Sequence, residues 1–206
     1  MPEYSQIQTY VKCDKDSYTS TLSRFKNLLA QIGFDEKYLA DSFDGLDWNI
    51  FDDGFVYSGC NAETVKINLN GIVLNIRPFA IGWTPQMMRE IKEPWLQTEL
   101  LFYTEEITID YEPYRIKNDV KIPLLNIMTL FSEHFSETGV YLTNEGTDGK
   151  PWYALLGCSN EIWSFDAAII PVRIAAKYEE LPSNFTKKET AESIYLIDKN
   201  VWGEAP

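Results

Sequence analysis

Hydrophobic residues recur at three- and four-residue spacing in two stretches of the chain, and this spacing predicts two amphipathic helices. The first covers about residues 17–32 and ends at Gly33. Its apolar positions are Tyr18, Leu22, Phe25, Leu29 and Ile32. The second covers about residues 122–137, and its positions on the apolar face are Ile122, Leu125, Met128 (or Thr129), Leu130, Phe131 and Phe135. A third, shorter helix is predicted from Thr84-Pro85, because a capping residue followed by proline is the usual order at a helix start.

Alternation of apolar and polar residues predicts strands in most of the remaining chain. The clearest case is "VKINLNGIVLNI", residues 65–76, where Asn70-Gly71 is the dipeptide that a type I′ hairpin turn prefers. Residues 4–13 read as a candidate edge strand. Further strands are predicted over about 98–103 and 106–111, at "VYLTN" and "WYALLG", and within the apolar run "IWSFDAAIIPVRIAA".

Hairpins mixed with separate helices, without a regular strand–helix repeat, favour an α+β fold. We expect a mainly antiparallel sheet with about three helices packed on it. The 206 residues, of which 45% are hydrophobic, fit one compact domain over 1–206. The charged segment 177–206 is a candidate peripheral segment of that domain.

Acidic residues outnumber basic ones by 31 to 18, which gives a net charge of −13. Such a charge repels phosphate backbones and anionic lipids, so neither nucleic acid nor a membrane surface is an expected partner. No stretch approaches the roughly 18 apolar residues that cross a bilayer. A basic protein, by contrast, would associate faster with such a surface.

The cysteines and the first residues of the chain bear on its location. Cys13, Cys60 and Cys158 are odd in number, widely spaced and without a CxxC pair, so we expect reduced thiols rather than a disulfide framework. The first residues have neither the basic nor the apolar region of a secretory signal. The expected location is therefore the cytoplasm.

Recognisable catalytic and metal-binding motifs are missing from the sequence. The single histidine, His134, has no nucleophile motif beside it and reads as a partly exposed helical residue. One histidine and three scattered cysteines do not make a zinc site. In the loop that begins at Asp47, Phe51 stands where a calcium ligand belongs, and "GTDGK" lacks the spacing of a phosphate loop. No metal and no cofactor are predicted.

Three carboxylates are the candidate catalytic residues if the protein is an enzyme. Asp166 lies in an apolar run, where it needs hydrogen bonds or a positive partner such as Arg173 or Arg77, or its pKa will rise. Asp110 and Glu112 would project from the same face of a strand. A glycosidase-like hydrolase using Asp166 with Asp110 or Glu112 is therefore one functional hypothesis.

The most unusual stretch in charge is residues 35–53, which holds seven acidic residues and one lysine. Aromatic residues interleave with the acidic ones, as they do where aromatic anchors and a charged surround form a protein interface. The candidate partner-binding residues are Asp41, Asp44, Asp47, Trp48, Phe51, Asp52 and Asp53. Alternatively, the aromatic side chains anchor the loop to the core and only the aspartates face water. The choice depends on whether Trp48 and Phe51 point inward.

These observations lead to three hypotheses from different classes. The first is a non-enzymatic, acidic cytoplasmic protein that binds and neutralises a basic protein partner, such as a nuclease or another toxin, as immunity and inhibitor proteins do. The second is the carboxylate-dependent hydrolase. The third is a structural or scaffold domain of a larger assembly.

Overall fold

The chain folds around a nine-stranded antiparallel sheet. The structure is a computed structural model that describes residues 3–58, 62–111 and 114–203, and at residues 110 and 111 it describes only the backbone. The strands are β1 (Tyr4–Lys12), β2 (Phe55–Tyr57), β3 (Val65–Leu69), β4 (Ile72–Trp83), β5 (Trp95–Tyr103), β6 (Thr108–Tyr111), β7 (Tyr114–Ile116), β8 (Val140–Asn144), β9 (Ala167–Pro171), β10 (Phe185–Glu189) and β11 (Ser193–Asp198). The helices are α1 (Tyr18–Ile32), α2 (Glu36–Phe43), α3 (Thr104–Ile107), α4 (Asn118–His134), α5 (Lys150–Leu155) and α6 (Lys199–Trp202), with a 3₁₀ helix at Val172–Tyr178.

The strand order of the large sheet is β10-β11-β9-β8-β1-β5-β4-β2, with β3 paired to β4. Strands β6 and β7 form a separate two-stranded sheet. The α+β class and the antiparallel sheet are as predicted. The helix count is higher than predicted, because several helices of only four to eight residues connect the strands.

β1 lies at the centre of the sheet, between β5 and β8, so the prediction of an edge strand at residues 4–13 is wrong. Gln6 and Gln8 alternate with apolar residues there, which is typical of a strand with one face in water. Both glutamines are nevertheless buried. Their amides are satisfied inside the protein: the Gln8 Nε2 donates to Thr143 Oγ1 at 2.6 Å.

The main core lies between one face of the sheet and the helices α1 and α4. Phe25 of α1 contacts Phe131 of α4, with ring centroids 6.3 Å apart. Ile7 and Phe102 meet these helices from the sheet, and both are fully buried. Each such side chain removed from water contributes about 2 kcal/mol to folding.

Two predicted helices and the predicted hairpin are present. α1 ends at Gly33, whose φ of +112° terminates the helix. Asn70 and Gly71 both have positive φ between β3 and β4, as a type I′ turn requires. α4 begins four residues earlier than predicted, and Ile122, expected in its apolar stripe, is exposed.

The predicted helix after Thr84 is wrong, because this segment forms successive turns. A single turn opens after Thr84, whose carbonyl accepts from the Met87 and Met88 backbone N–H groups, but no helix follows it. The predicted strand at "WYALLG" is also wrong. Residues 150–155 form α5, for which Pro151 supplies a first-turn residue that needs no hydrogen-bond donor.

Residues 177–206 supply two strands and a helix within the described range. β11 lies between β9 and β10 in the sheet, and its Leu196 is fully buried. Trp202 of α6 is buried against the main core. Among the described residues, no helix has the length and apolar character needed to span a membrane.

Candidate functional site

The acidic loop, defined here as residues 41–54, begins in the last turn of α2 and is anchored to the core at two points. Asp35 caps the start of α2, because its carboxylate accepts hydrogen bonds from the backbone N–H groups of Lys37 and Tyr38. At its end Phe43 is buried. Trp48 is half-buried and packs edge-on against Tyr18, with ring centroids 5.5 Å apart. These contacts fix the position of the loop on the body.

Beyond Trp48 the acidic loop turns outward. Ile50 and Phe51 leave 50% and 52% of their surface in water. All five aspartates proposed for partner binding are exposed: Asp41, Asp44, Asp47, Asp52 and Asp53. Trp48 therefore anchors the loop, whereas Phe51 is presented to solvent.

Most of the charge in the acidic loop is not neutralised. Asp44 forms an ion pair with Lys26. The other four aspartates have no ion pair among the described residues. Asp53 has a structural role, because its carboxylate accepts hydrogen bonds from the Tyr57 hydroxyl at 2.5 Å and from the Phe55 backbone at 3.0 Å. These bonds hold the pKa of Asp53 below its usual value.

The acidic loop is pressed against the turn segment that follows β4. A Cβ at Gly54, which has φ +86°, would lie 2.6 Å from the Met87 backbone nitrogen. The Gln86 side-chain amide donates to the Asp52 carbonyl at 3.0 Å. Met87, at this contact, leaves 41% of its surface exposed.

A series of aromatic ring contacts leads from Phe51 to a cleft of about 460 Å³, called here the aromatic cleft. Phe51 contacts Tyr57 at 5.1 Å, and Phe55 contacts Trp83 at 5.0 Å. Trp83 lies 5.8 Å from Trp152, which in turn stacks on Tyr10 at 4.3 Å. The acidic loop and the aromatic cleft therefore form a continuous surface.

Two carboxyl groups that the sequence reasoning missed lie at and below the floor of the aromatic cleft. Asp148 lines the cleft, while Glu99 lies beneath Gln97 with 5% of its surface exposed. Burial and the neighbouring Asp148 charge raise the pKa of Glu99 to about 8. Asp148 is exposed as a residue, but desolvation raises the pKa of its carboxylate, and the neighbouring Gln6 and Gln8 amides, which favour the ionised form, only partly offset the rise.

Asp166, proposed as a catalytic residue, is buried at the edge of a different cleft of about 690 Å³. Neither Arg173 nor Arg77, the two positive partners considered from the sequence, forms an ion pair with Asp166. Arg173 donates to the Ser136 and Glu137 carbonyls, and Arg77 Nε donates to the Ala62 carbonyl. Burial, with the Asp198 charge as a second cause, raises the pKa of Asp166 to about 7.

The two proposed partners of Asp166 lie outside what the structure describes: the side chain of Asp110 and the whole of Glu112. The carboxylate pair of the hydrolase hypothesis therefore stays a prediction. His134 lies on the surface of α4, where its Nε2 is 2.9 Å from Gln31 Nε2.

Over residues 3–58, 62–111 and 114–203, no group of three or more histidine, cysteine or acidic side chains is arranged to hold a metal ion. Cys13 and Cys158 are free thiols, and Cys60 lies outside the described residues.

In comparisons with known proteins, the chain matches no protein-family model and has no significant similarity to a curated protein.

Proposed function

We propose that this protein is a cytoplasmic binding protein that neutralises a basic protein partner through the acidic loop and the adjoining aromatic cleft. The observation that carries this proposal is the exposure of Ile50 and Phe51 among aspartates of which, within the described part of the chain, only Asp44 has an ion pair. A loop whose hydrophobic residues served only as anchors would bury them, as it buries Phe43 and partly buries Trp48.

In such an interface the exposed hydrophobic residues would contribute binding free energy, and the aspartates would mainly raise the association rate. Burying the exposed half of Phe51 would contribute about 1 kcal/mol or more, which is the behaviour of an interface anchor. Aspartates at the rim contribute mainly to the association rate, since their field attracts a basic protein before contact.

The aromatic cleft enlarges this surface and adds shape to it. Trp83, Trp152 and Tyr153 line its walls, and Asp148 and Glu90 contribute further negative charge. A projecting basic loop of a partner could contact aromatic rings and carboxylates in the same cleft.

A hydrolase at the aromatic cleft is less well supported than binding. Glu99 has the raised pKa of a general acid, but it does not line the cleft. A substrate there would meet Asp148 and Gln97, with Glu99 behind them. A general acid must reach the reacting atom within hydrogen-bonding distance.

The test is a charge-reversal variant of the acidic loop, Asp41→Lys with Asp47→Lys and Asp52→Lys. Asp44 stays unchanged because it pairs with Lys26. Immobilised wild-type protein and variant are incubated with extract of the source cells. We expect the wild type to retain a strongly basic protein. Retention by the variant should fall at least about tenfold, and association with the wild type should slow as salt approaches about 0.5 M.

The matched control reverses three exposed glutamates near the opposite edge of the sheet: Glu179→Lys, Glu180→Lys and Glu192→Lys. It makes the same change in net charge and should keep the partner. Equal loss in both triple variants would mean that only net charge matters. Retention unchanged by the acidic-loop variant would refute the proposed interface.

A further inference from the structure

The Asp166 cleft, defined as the cleft of about 690 Å³ that Asp166 lines, is separate from the proposed partner surface. It contains Tyr4, at the first residue of β1, whereas the aromatic cleft lies towards the other end of that strand at Tyr10. Six residues along a strand correspond to about 20 Å. The two clefts can therefore be tested independently.

The lining of the Asp166 cleft has one sign of charge. Glu3, Glu145 and Asp166 contribute carboxylates, and no lysine, arginine or histidine is among the described lining residues. Glu3 and Glu145 are exposed at the rim, whereas Asp166 is buried. A hydrogen bond of 2.9 Å from the Tyr4 backbone N–H to Oε1 fixes the position of Glu145.

Asp166 is the feature that points to a ligand. Only 6% of its surface is exposed, and its Oδ2 has no hydrogen-bond partner among the residues the structure describes. The Tyr114 hydroxyl, which lies 2.9 Å from Ser5 Oγ, lines the same cleft. A buried carboxylate that lacks a counter-ion is costly, and its pKa of about 7 expresses that cost. A cation in the cleft would remove it.

The geometry favours an organic cation over a metal ion. In the described part of the chain, no three carboxylates lie close enough together to hold one metal ion. The three carboxylates of this cleft are therefore spread around its opening. A ligand that meets Asp166 and the rim together must be longer than a single ion. The Tyr4 and Tyr114 rings also suit an ammonium or guanidinium group, which aromatic faces attract. The cleft volume is within the usual range for a small-molecule site.

We propose that the Asp166 cleft binds an organic cation carrying an ammonium or guanidinium group, with Asp166 as its anchor and Glu3 and Glu145 at the rim. The same chemistry is offered by a free amine and by a basic side chain of another protein. This inference does not rest on the proposed partner surface, because none of its residues belongs to the acidic loop or the aromatic cleft.

The test is isothermal titration calorimetry of the full chain at about pH 7 with two probes, butane-1,4-diamine and Nα-acetyl-arginine methylamide. The variant is Asp166→Asn, and the matched control is Glu99→Gln, which removes a buried carboxyl group from a different place. We expect saturable binding of at least one probe at one molecule per chain. Its affinity should fall at least about tenfold in Asp166→Asn and stay unchanged in Glu99→Gln.

The number of protons released on binding distinguishes a direct contact between Asp166 and the cation from a merely structural role of Asp166. Since the pKa of Asp166 is about 7, roughly half of the carboxyl groups are protonated at that pH, and a bound cation should ionise them. Titrations in two buffers of different ionisation enthalpy should report release of about half a proton per cation bound. Asp166→Asn should release none.

The outcomes are distinguishable. Tighter binding of the diamine would identify a free amine as the ligand source, and tighter binding of the arginine derivative would identify a basic side chain. If Asp166→Asn does not fold, the rim variant Glu145→Gln serves instead, with an expected loss of about threefold. The absence of saturable binding by either probe up to about 10 mM, or equal affinity in wild type and variant, would overturn the proposal.

Discussion

Replacing Glu99 with glutamine should stabilise the protein at neutral pH. Glu99 is buried on the face of the sheet that carries the aromatic cleft, and the Gln97 Nε2 donates to its Oε2 at 2.7 Å. Because its folded pKa is about 8 and its ordinary value is 4.5, the folded protein holds a proton at pH 7 that the unfolded chain releases. A glutamine side chain keeps the shape of the protonated carboxyl group and still accepts from Gln97.

The magnitude follows from the linkage between proton binding and folding. Below about pH 4.5 both states are protonated, and Glu99 costs nothing. Between about pH 4.5 and 8 the wild type loses about 1.4 kcal/mol of stability for each pH unit, and above about pH 8 the loss levels off near 5 kcal/mol. At pH 7 the loss is about 3 kcal/mol, a large part of the stability of an ordinary domain.

The assay is urea unfolding of wild type and Glu99→Gln, followed by tryptophan fluorescence from about pH 4 to 9. The difference in free energy of unfolding isolates Glu99 from the general effect of the net charge. We expect no difference near pH 4.5 and an advantage of the variant that rises to about 3 kcal/mol at pH 7. Glu180→Gln, at an exposed position, should give a flat difference. A variant less stable than wild type at pH 8, or a difference independent of pH, would refute the burial argument.

Three further expectations concern the acidic loop and its surroundings. Trp48→Ala should lower the free energy of unfolding by about 2 kcal/mol because its ring packs on the core, whereas Phe51→Ala should lower it by only about 1 kcal/mol because half of its surface is already in water; chemical denaturation compares them. Gly54→Ala should cost at least about 2 kcal/mol, since φ is +86° and the added Cβ would meet Met87; an unchanged melting temperature would contradict this. Asp35→Ala should cost about 1 kcal/mol through loss of the α2 cap, measurable by thermal unfolding, and Asp35→Asn should restore most of it.

The parts of the fold that could be predicted from sequence are those determined by neighbouring residues. α1 follows from a single apolar stripe that Gly33 ends, and the β3–β4 hairpin follows from Asn70-Gly71. The segment from Thr84 to Glu93 has the start signal of a helix, but it forms only one such turn and then packs Met88 and Ile91 into a cluster with residues from distant parts of the chain.

The candidate sites were harder to predict because burial there depends on distant segments. Trp48 and Phe51 are three residues apart in one polar stretch, and only the position of Tyr18 on α1 draws the first inward. Glu99 follows Gln97 and Thr98 in a polar part of β5, as a solvent-facing residue would. It is buried because the segment containing Asp148 and α5 covers that face, and α5 was itself predicted as a strand.

The central position of β1 has a consequence for how fast the protein folds. Its partners are β5, about a hundred residues later at Tyr103, and β8, about 140 residues later at Asn144. Closing loops of that length costs chain entropy before any contact compensates for it, so we expect folding in milliseconds to seconds rather than microseconds. The β3–β4 hairpin can form early, but the aromatic cleft takes residues from β1, β4, β5 and α5. A newly made chain would therefore complete that cleft only at this slow step.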